Sequence, residues 1–134
     1  MTGQKWGCVR DCMKTEVTEV DGRLDVLSAM KVMKQVNATS LIVKRRDEDD
    51  EYGLLLFSDI AKKVIGEDRA PERVNVYEVM AKPVVTVRPD MHIRYCARLF
   101  ENIGIGHAPV EENGKIIGMV SYYRLVLYGL PKLD

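Results

Sequence analysis

The sequence predicts a mixed α/β (α+β) fold, in which two copies of one β-α-β-β-α unit pack about a pseudo-two-fold axis. The first observation is an internal repeat, because residues 76–127 reproduce the apolar pattern of residues 9–64. At a spacing of 67, Met80 corresponds to Met13 and Val110 to Val43. The second observation is that strand and helix patterns follow the same order in both copies. Solenoid repeats have a period of roughly 20–50 residues, so this longer spacing favours two packed subdomains.

The first half of each copy predicts a strand followed by a helix. A short segment ending in methionine, VRDCM or VYEVM, leads into an extended stretch rich in β-branched valine. Turns are predicted at Asp21-Gly22 and Pro89-Asp90. Apolar residues then recur at three- and four-residue steps, which is typical of an amphipathic helix. These residues are Leu24, Leu27, Met30, Met33 and Val36 in one copy and Ile93, Cys96, Leu99, Phe100 and Ile103 in the other.

The second half of each copy predicts a β-hairpin and a closing helix. The hairpin strands are LIVKR and YGLLLF in the first copy, and APVEE and KIIGMVSY in the second. Asn113-Gly114 predicts a tight turn, because both residues accept positive φ. The acidic insert Asp47–Glu51 instead predicts a longer, solvated tip. The closing helices are expected to begin at Asp59 and near Arg124.

These elements predict three consecutive parts of one module. Residues 1–66 form the first repeat with an N-terminal segment, residues 67–75 a polar linker, and residues 76–134 the second repeat with a C-terminal tail. A chain of 134 residues is long enough to bury a sizeable core.

Composition excludes several classes of function. The 20 basic and 20 acidic residues give a net charge of zero, so there is no cationic excess to bind nucleic acid. No apolar run approaches 18 residues, and the first residues have no apolar stretch, so neither a membrane span nor a signal peptide is expected. Three cysteines without framework spacing indicate free thiols. The predicted location is therefore the cytoplasm.

The sequence predicts a binding protein rather than an enzyme. It contains no nucleophile–base pair, paired-carboxylate motif, phosphate loop or metal signature, so no catalytic residue and no required cofactor is predicted. Cys8 and Cys12 lie four residues apart, but a metal site would need two further ligands and no histidine is near in sequence. No metal site is predicted.

Several strings of the second copy resemble a CBS repeat. They are VMAKPVVTVRPD, GIGHAPV and NGKIIGMVS, and the first copy, from CMKTEVTEVDG to GLLLFSDI, resembles a more diverged repeat. Together the copies are similar to a CBS pair (a Bateman module) over almost the whole chain. The resemblance implies a regulatory module that often forms a homodimer and binds AMP, ADP, ATP or S-adenosylmethionine in clefts between its repeats. The output would then be a contact with an effector protein in trans or a change of oligomer.

The resemblance also implies which residues bind a ligand. In CBS repeats an aspartate closes a Gly-apolar-x-Thr/Ser-x-x-Asp pattern, and a carboxylate suits a ribose because it accepts hydrogen bonds from both hydroxyls. The first copy reads GLLLFSD, which keeps Asp59 but has Leu56 at the hydroxyl position, with Ser58 nearby. The second copy reads GMVSYYR, which keeps Ser121 but ends in Arg124.

Each cleft of the family combines the closing motif of one repeat with the first two strands of the other. The competent site would combine two residues of the first motif with the strands of the second copy: Asp59, Ser58, Val84, Val85, Thr86, His107, Ala108 and Pro109. A second, weaker cleft would combine Ser121 and Arg124 with Val17, Thr18 and Ile42. Arg124 would there pair with a phosphate, or the cleft would be closed.

Other interpretations remain open at this point. Asp59 is also a suitable helix N-cap, and a lone histidine such as His107 is more often structural than ligand-binding. Leu56 and Arg124 favour a ligand-free dimerising scaffold with degenerate sites. The alternative ligand is S-adenosylmethionine or another nucleoside rather than an adenine nucleotide.

Overall fold

The computed structural model describes residues 5–130 and has the predicted β-α-β-β-α order in the first repeat. In the second repeat an isolated β-bridge at Val87 takes the place of the first strand, and the α-β-β-α order follows it. The helices are α1 (Val9–Cys12), α2 (Val26–Val36), α3 (Phe57–Ile60), α4 (Ile93–Ile103) and α5 (Tyr122–Tyr128). The strands are β1 (Glu19–Val20), β2 (Ser40–Val43), β3 (Gly53–Leu56), β4 (His107–Glu112) and β5 (Lys115–Ser121). A π-helical turn, Ala61–Ile65, continues α3, and 3₁₀ turns cover Pro71–Arg73 and Val76–Glu78.

The chain folds into two compact units. The central unit is Thr18–Val84, and the terminal unit comprises the described residues of Met1–Val17 and Val85–Asp134. Each unit has its own apolar core. In the central unit the core includes Val26, Leu41, Leu55, Val76 and Val79. In the terminal unit it includes Val9, Cys96, Phe100, Val110 and Val120.

The two units pair their strands in the register that the repeat predicts. In the central unit β1 is parallel to β2, with Val20 opposite Val43, and β2 is antiparallel to β3. In the terminal unit Val87 pairs in parallel with Val110, the equivalent residues 67 positions later. Of the extended stretch predicted from Val84, Val87 alone makes such a pair within the described chain. Its N–H donates to the Pro109 carbonyl at 3.0 Å.

The terminal hairpin has the predicted tight turn. Strands β4 and β5 are antiparallel, and the turn between them holds Asn113 at φ 54° and Gly114 at φ 78°. Positive φ at both central residues matches the twist of the flanking strands, which is why Asn-Gly is favoured there.

Helices α2 and α4 begin and end at equivalent positions. Asp25 caps α2 by accepting from the Ser28 N–H at 2.9 Å, and His92 caps α4 through Nδ1, which accepts from the Arg94 N–H at 3.0 Å. Both helices end at a left-handed residue, Asn37 or Gly104. Side-chain capping and a left-handed C-cap satisfy backbone groups that a helix end leaves unpaired.

The closing helices begin two residues earlier than the sequence pattern predicts. Helix α3 begins at Phe57 rather than Asp59, and α5 begins at Tyr122 rather than near Arg124. The N-cap residues are Leu56 and Ser121, the last residues of β3 and β5, both with extended backbone. Each strand therefore turns directly into its helix without a loop.

The opening segment of each repeat pairs with the sheet of the other repeat. Lys14 exchanges two backbone hydrogen bonds of 2.8 Å with Met119 of β5. Ala81 exchanges two of 2.9 Å with Leu54 of β3. The compact units therefore differ from the sequence repeats, residues 1–66 and 76–134. The described residues up to Val17 belong to the unit of the second repeat, and residues 76–84 belong to the unit of the first.

Glycine is required where each exchanged segment crosses a strand. A Cβ on Gly118 would lie 2.7 Å from the Met13 sulfur and 2.8 Å from the Lys14 carbonyl oxygen. A Cβ on the equivalent Gly53 would lie 2.6 Å from the Met80 sulfur. Glycine within a strand often marks such a close approach of another backbone.

Arg124 holds the exchanged segment of the terminal unit. Its Nε donates to the Cys12 carbonyl at 2.7 Å, its second guanidinium nitrogen donates to the Met13 carbonyl at 3.4 Å, and the group lies 4.0 Å from the Tyr128 ring centroid. Carbonyls at the end of α1 lack helical partners, so a cation there satisfies them.

Asp50 holds the corresponding region of the central unit. Its side chain is only 7% exposed, and its carboxylate accepts from Lys82 Nζ at 2.7 Å and from Arg46 Nε at 3.0 Å. The expectation of a fully solvated tip is therefore wrong at this residue, although Asp47, Glu48 and Asp49 are exposed. Hydrogen bonds from Arg46 and Lys82 hold the pKa of Asp50 well below its usual range.

Replacing Gly118 with alanine is expected to destabilise the protein. The new Cβ must displace the Lys14 backbone, and strain of this kind costs about 1–3 kcal/mol. Urea unfolding followed by circular dichroism measures the change. The control is Gly106→Ala, since the nearest atom to its Cβ is 3.5 Å away. Equal stability of the two variants would contradict the close packing at Gly118.

Replacing Arg124 with methionine is expected to lower the free energy of unfolding by about 1.5–3 kcal/mol, because hydrogen bonds to charged groups contribute roughly that amount. The same urea titration measures the loss. Arg98→Met, at an exposed position of α4, is the matched control and should change stability by less than about 0.5 kcal/mol. If both variants unfold at the same urea concentration as the wild type, Arg124 does not hold the segment.

The ion pair of Asp50 predicts a specific acid sensitivity. The folded pKa lies below the unfolded value of about 3.9, so the stabilisation is complete above about pH 5 and decreases as the pH falls below about 4. The difference in unfolding free energy between wild type and Asp50→Asn should therefore shrink between about pH 6 and pH 2. Asp49→Asn, at an exposed position of the same loop, is the matched control and should change the free energy of unfolding at about pH 6 by less than about 0.5 kcal/mol.

Candidate functional site

Asp59 is the third residue of α3 and is half-buried. It is not the N-cap, which is Leu56, and no side chain caps this helix. Within residues 5–130 the Asp59 carboxylate has neither an ion pair nor a side-chain hydrogen bond. The alternative role as a capping residue is therefore wrong, and its two oxygens keep their full capacity to accept hydrogen bonds.

The candidate ligand residues divide between the two units. The central unit contains Ser58, which is half-buried beside Asp59 on α3, and Val84, which is also half-buried. The remaining residues of this predicted site belong to the terminal unit: Val85, Thr86, His107, Ala108 and Pro109.

The candidate residues of the terminal unit differ in how far their side chains are buried. Ala108 is completely buried in the core and Pro109 is also buried, so these two side chains are packing residues of the unit. Val85 is 44% exposed. His107 begins β4 and is half-buried, and this burial lowers the pKa of its imidazole. The ring is therefore uncharged at neutral pH, when it offers hydrogen bonds but no positive charge to a ligand.

A neighbouring carboxylate holds Thr86. The Thr86 hydroxyl donates to the carboxylate of Glu111, a residue outside the predicted site, at 2.9 Å. The internal repeat of the sequence contained a signal for this contact between Thr86 and Glu111. Val87 pairs with Val110 on the core side, so Thr86 and Glu111, one residue away on each strand, lie on the opposite face of the sheet.

The residues of the weaker predicted cleft serve mainly structural roles. Ile42 is buried in β2, and its N–H donates to the Thr18 carbonyl at 2.9 Å. Val17 and Thr18 are half-buried, in the terminal and central units respectively. Ser121 caps α5 through Oγ, which accepts from the Arg124 N–H at 3.2 Å.

Arg124 is engaged inside its own unit. Two of its nitrogens bind the Cys12 and Met13 carbonyls, and its planar face lies against Tyr128. This arrangement fits a structural clamp better than a phosphate ligand. His107 and Ser121, assigned from sequence to different clefts, are opposite each other in the β4–β5 pairing.

All three cysteines are free thiols, and Cys12 and Cys96 are buried in the core. Burial raises the pKa of Cys12 to about 11 and that of Cys96 to about 11, so both remain protonated at neutral pH. Cys8 is half-buried, and all three cysteines are unpaired with one another. In the described part of the chain no cluster of three or more His, Cys, Asp or Glu residues is arranged to hold a metal ion. No helix among residues 5–130 has the length and apolarity to cross a bilayer.

Comparison with known proteins identifies the repeat. The model of the CBS domain matches residues 76–130. A solved hexameric CBS-CP12 protein from bloom-forming cyanobacteria is 34% identical, with a TM-score of 0.89 over 91% of this chain and 70% of that chain. The CBS domain pair of protein MJ0100, solved in complex with 5′-methylthioadenosine and S-adenosyl-L-methionine, is 20% identical and superposes with a TM-score of 0.76 over 90% of this chain and 94% of that chain.

A longer relative carries a similar region within an enzyme. A homoserine O-acetyltransferase from Methanosalsum zhilinae is 34% identical over 113 residues, which are 84% of this chain but 22% of the enzyme. The chain also spans only 41% of a 32% identical relative from Methanopyrus kandleri. The similarity to these proteins therefore concerns one part of each.

The matched family model, the cyanobacterial homologue and the internal repeat agree with one another. The chain belongs to the CBS-domain family, as a CBS pair or Bateman module.

Proposed function

We propose that this CBS pair is a regulatory module that senses an adenosine-containing ligand, AMP, ADP or ATP, through Asp59. The observation that carries the proposal is the half-buried carboxylate of Asp59, which has no partner in the described chain. A ribose offers two adjacent hydroxyls to such an acceptor, and a hydrogen bond to a charged group contributes roughly 1.5–3 kcal/mol. The repeat-equivalent Arg124 cannot accept hydrogen bonds, so one ligand per chain is expected.

The terminal unit has side chains that are suited to contacts with a nucleoside. Val85 is an exposed apolar side chain, which suits the face of a base. His107 is neutral and Thr86 is fixed by Glu111, so both supply hydrogen bonds without adding positive charge. Because a triphosphate needs cations or backbone N–H groups, this chemistry suits the nucleoside part of the ligand more directly than its phosphates.

A structural relative supports this class of ligand. The MJ0100 domain pair, which shares the fold, is solved with two adenosine-containing molecules. An adenosine-containing ligand is therefore compatible with the fold. The main alternative ligand for this chain is S-adenosylmethionine or a related nucleoside.

Regulation requires that the protein has two states and that the ligand binds one of them more tightly than the other. A ligand shifts an equilibrium only through its different affinity for two conformations or assemblies. The cyanobacterial relative is hexameric, and we propose that this chain also self-associates, with a homodimer as the simplest form. The ligand state would then reach an effector protein in trans or the oligomer itself.

A scaffold without ligand is the second candidate. It is favoured by Leu56, which places no hydroxyl at the N-cap of α3, and by the clamp role of Arg124. In that case Asp59 would have no ligand, and self-association would be the whole function.

The first test is a thermal-shift panel with AMP, ADP, ATP and S-adenosylmethionine on wild type and Asp59→Asn. A ligand at about 100 times its dissociation constant should stabilise the wild type by roughly 2.7 kcal/mol. Asp59→Asn keeps the shape but loses the charge, so its affinity by calorimetry should fall about 10-fold or more.

Asp49→Asn, an exposed acid of the same unit, is the control and should bind like the wild type. Equal binding by Asp59→Asn and wild type would exclude Asp59 as the ligand residue. If none of the four compounds shifts the melting temperature of ligand-free protein, the scaffold function replaces the sensor.

A further inference from the structure

Thr86 and Glu111 form a hydrogen-bonded pair on the face of the terminal sheet opposite its core. The Thr86 hydroxyl donates to Glu111 Oε1 at 2.9 Å, and both residues are half-buried. The backbone holds the two residues beside each other. The Val87 N–H donates to the Pro109 carbonyl at 3.0 Å, and the Val87 carbonyl accepts from the Glu111 N–H at 2.9 Å. The side-chain contact therefore lies on a backbone that is fixed on both sides of Val87.

The fold itself does not require this pair. At the repeat spacing of 67, Thr86 corresponds to Glu19 and Glu111 to Lys44. Glu19 lies on a strand with the same parallel pairing, yet both Glu19 and Lys44 are exposed to solvent. The same register is therefore stable with two solvated charges in the central unit. The half-buried hydroxyl and carboxylate are particular to the terminal unit.

A β-bulge lies at Glu111. In the β4–β5 pairing Val110 is opposite Gly118, but Glu111 is opposite Ile116, so Ile117 is an extra residue of β5. A bulge bends its strand and re-aims side chains, and bulges are over-represented next to functional sites. The register shift therefore falls at the carboxylate that binds the threonine hydroxyl.

The contact fixes the direction of the Thr86 hydroxyl proton. A hydroxyl has one proton and two lone pairs, whereas an ionised carboxylate can only accept. The proton of Thr86 is therefore committed to Glu111. Reversing it would break a hydrogen bond to a charged group, which is stronger than a hydrogen bond between neutral groups. Toward any other molecule the Thr86 oxygen is consequently an acceptor and not a donor.

We infer that Glu111 is a specificity-determining residue, which makes Thr86 select a purine with an exocyclic amino group. This role rests on the proposed nucleotide binding and adds to it the recognition of the base. The hydrogen-bond donors of an adenine nucleotide are its ribose hydroxyls and its exocyclic amino group. Because the proposed function assigns the ribose to Asp59, the amino group is the donor that remains for Thr86. Hypoxanthine has an oxygen in place of that amino group, and two acceptors that face each other share no proton.

The expected preference follows from the cost of an unpaired polar group. A site that is built to bond a polar group of its substrate discriminates strongly against an analogue without that group. Thr86 and Glu111 are half-buried rather than fully buried, so the discrimination is expected at the lower end of this effect. The wild type should therefore bind AMP about 10-fold or more tightly than IMP.

Calorimetric titration measures the affinities of AMP and IMP, with ATP and ITP as a second matched pair. In Glu111→Leu the Thr86 hydroxyl is free to turn and donate to the hypoxanthine oxygen. Binding of IMP should then tighten, and the preference for AMP should fall to within about 3-fold. In Thr86→Val the acceptor itself is lost, so binding of AMP should weaken while that of IMP changes little. The two variants thus abolish the preference from opposite sides, which a merely structural role of the pair would not do.

Glu112→Leu is the matched control. The Glu112 carboxylate binds Arg10 at 2.7 Å, so its loss should leave the ratio of the AMP and IMP affinities unchanged. Glu111→Gln keeps a side-chain oxygen that accepts from Thr86 and should retain a preference for AMP. Circular dichroism establishes that each variant is folded. If Glu111→Leu unfolds, Thr86→Val and Glu111→Gln make the same test, because the first should lose the preference and the second should keep it.

Equal affinity of the wild type for AMP and IMP, with both weakened by Asp59→Asn, would overturn the role of Glu111 and leave the nucleotide sensor in place. A preference for AMP that persists in folded Glu111→Leu or Thr86→Val would also overturn it. Failure of the wild type to bind any of these nucleotides would overturn the proposed sensing of AMP, ADP or ATP, and the selectivity with it.

Discussion

The backbone pairing of the exchanged segments is the constraint on which the rest of this structure depends. Lys14 pairs with Met119, and Ala81 pairs with Leu54, so each sheet gains a strand edge from the opposite repeat. Gly118 and Gly53 permit the approach, because any side chain at either position would meet the methionine sulfur of the crossing segment. Each compact unit is therefore built from both repeats, and neither repeat completes its own core alone.

The two units stabilise this exchange with different chemistry. The terminal unit uses Arg124, whose guanidinium binds the carbonyls at the end of the crossing segment. The central unit uses the Asp50 carboxylate, which binds Lys82 immediately after the crossing residue Ala81. Both devices lie one or two residues from the crossing points, so they fix the segments that lead into Val17 and Val84.

One position of the repeat thus has two roles in the same chain. Asp59 and Arg124 both occupy the third residue of a closing helix. The Arg124 guanidinium donates hydrogen bonds to the Cys12 and Met13 carbonyls, whereas the Asp59 carboxylate keeps its capacity to accept hydrogen bonds.

The sequence by itself determined the order of the elements, the register between the repeats and the family. Periodicity is a local property, so the helices Val26–Val36 and Ile93–Ile103 and the Asn113-Gly114 turn followed from residues near in sequence. Leu24, which shares the helical spacing, lies before the N-cap Asp25 and is not part of the helix. It also identified Asp59, because the closing motif is contiguous. The start of the closing helices was placed two residues late, since the extended N-caps Leu56 and Ser121 read as ordinary strand ends.

Only the tertiary structure decided which partners distant residues find. The exchange of the opening segments, the burial of Asp50 in an acidic loop and the hold of Arg124 on Cys12 each join residues that lie far apart in the chain or differ in burial from their neighbours. Thr86 and Glu111 likewise meet across two strands. Such contacts depend on how closely the packed elements approach each other. The local sequence pattern contains no information on the distance between elements.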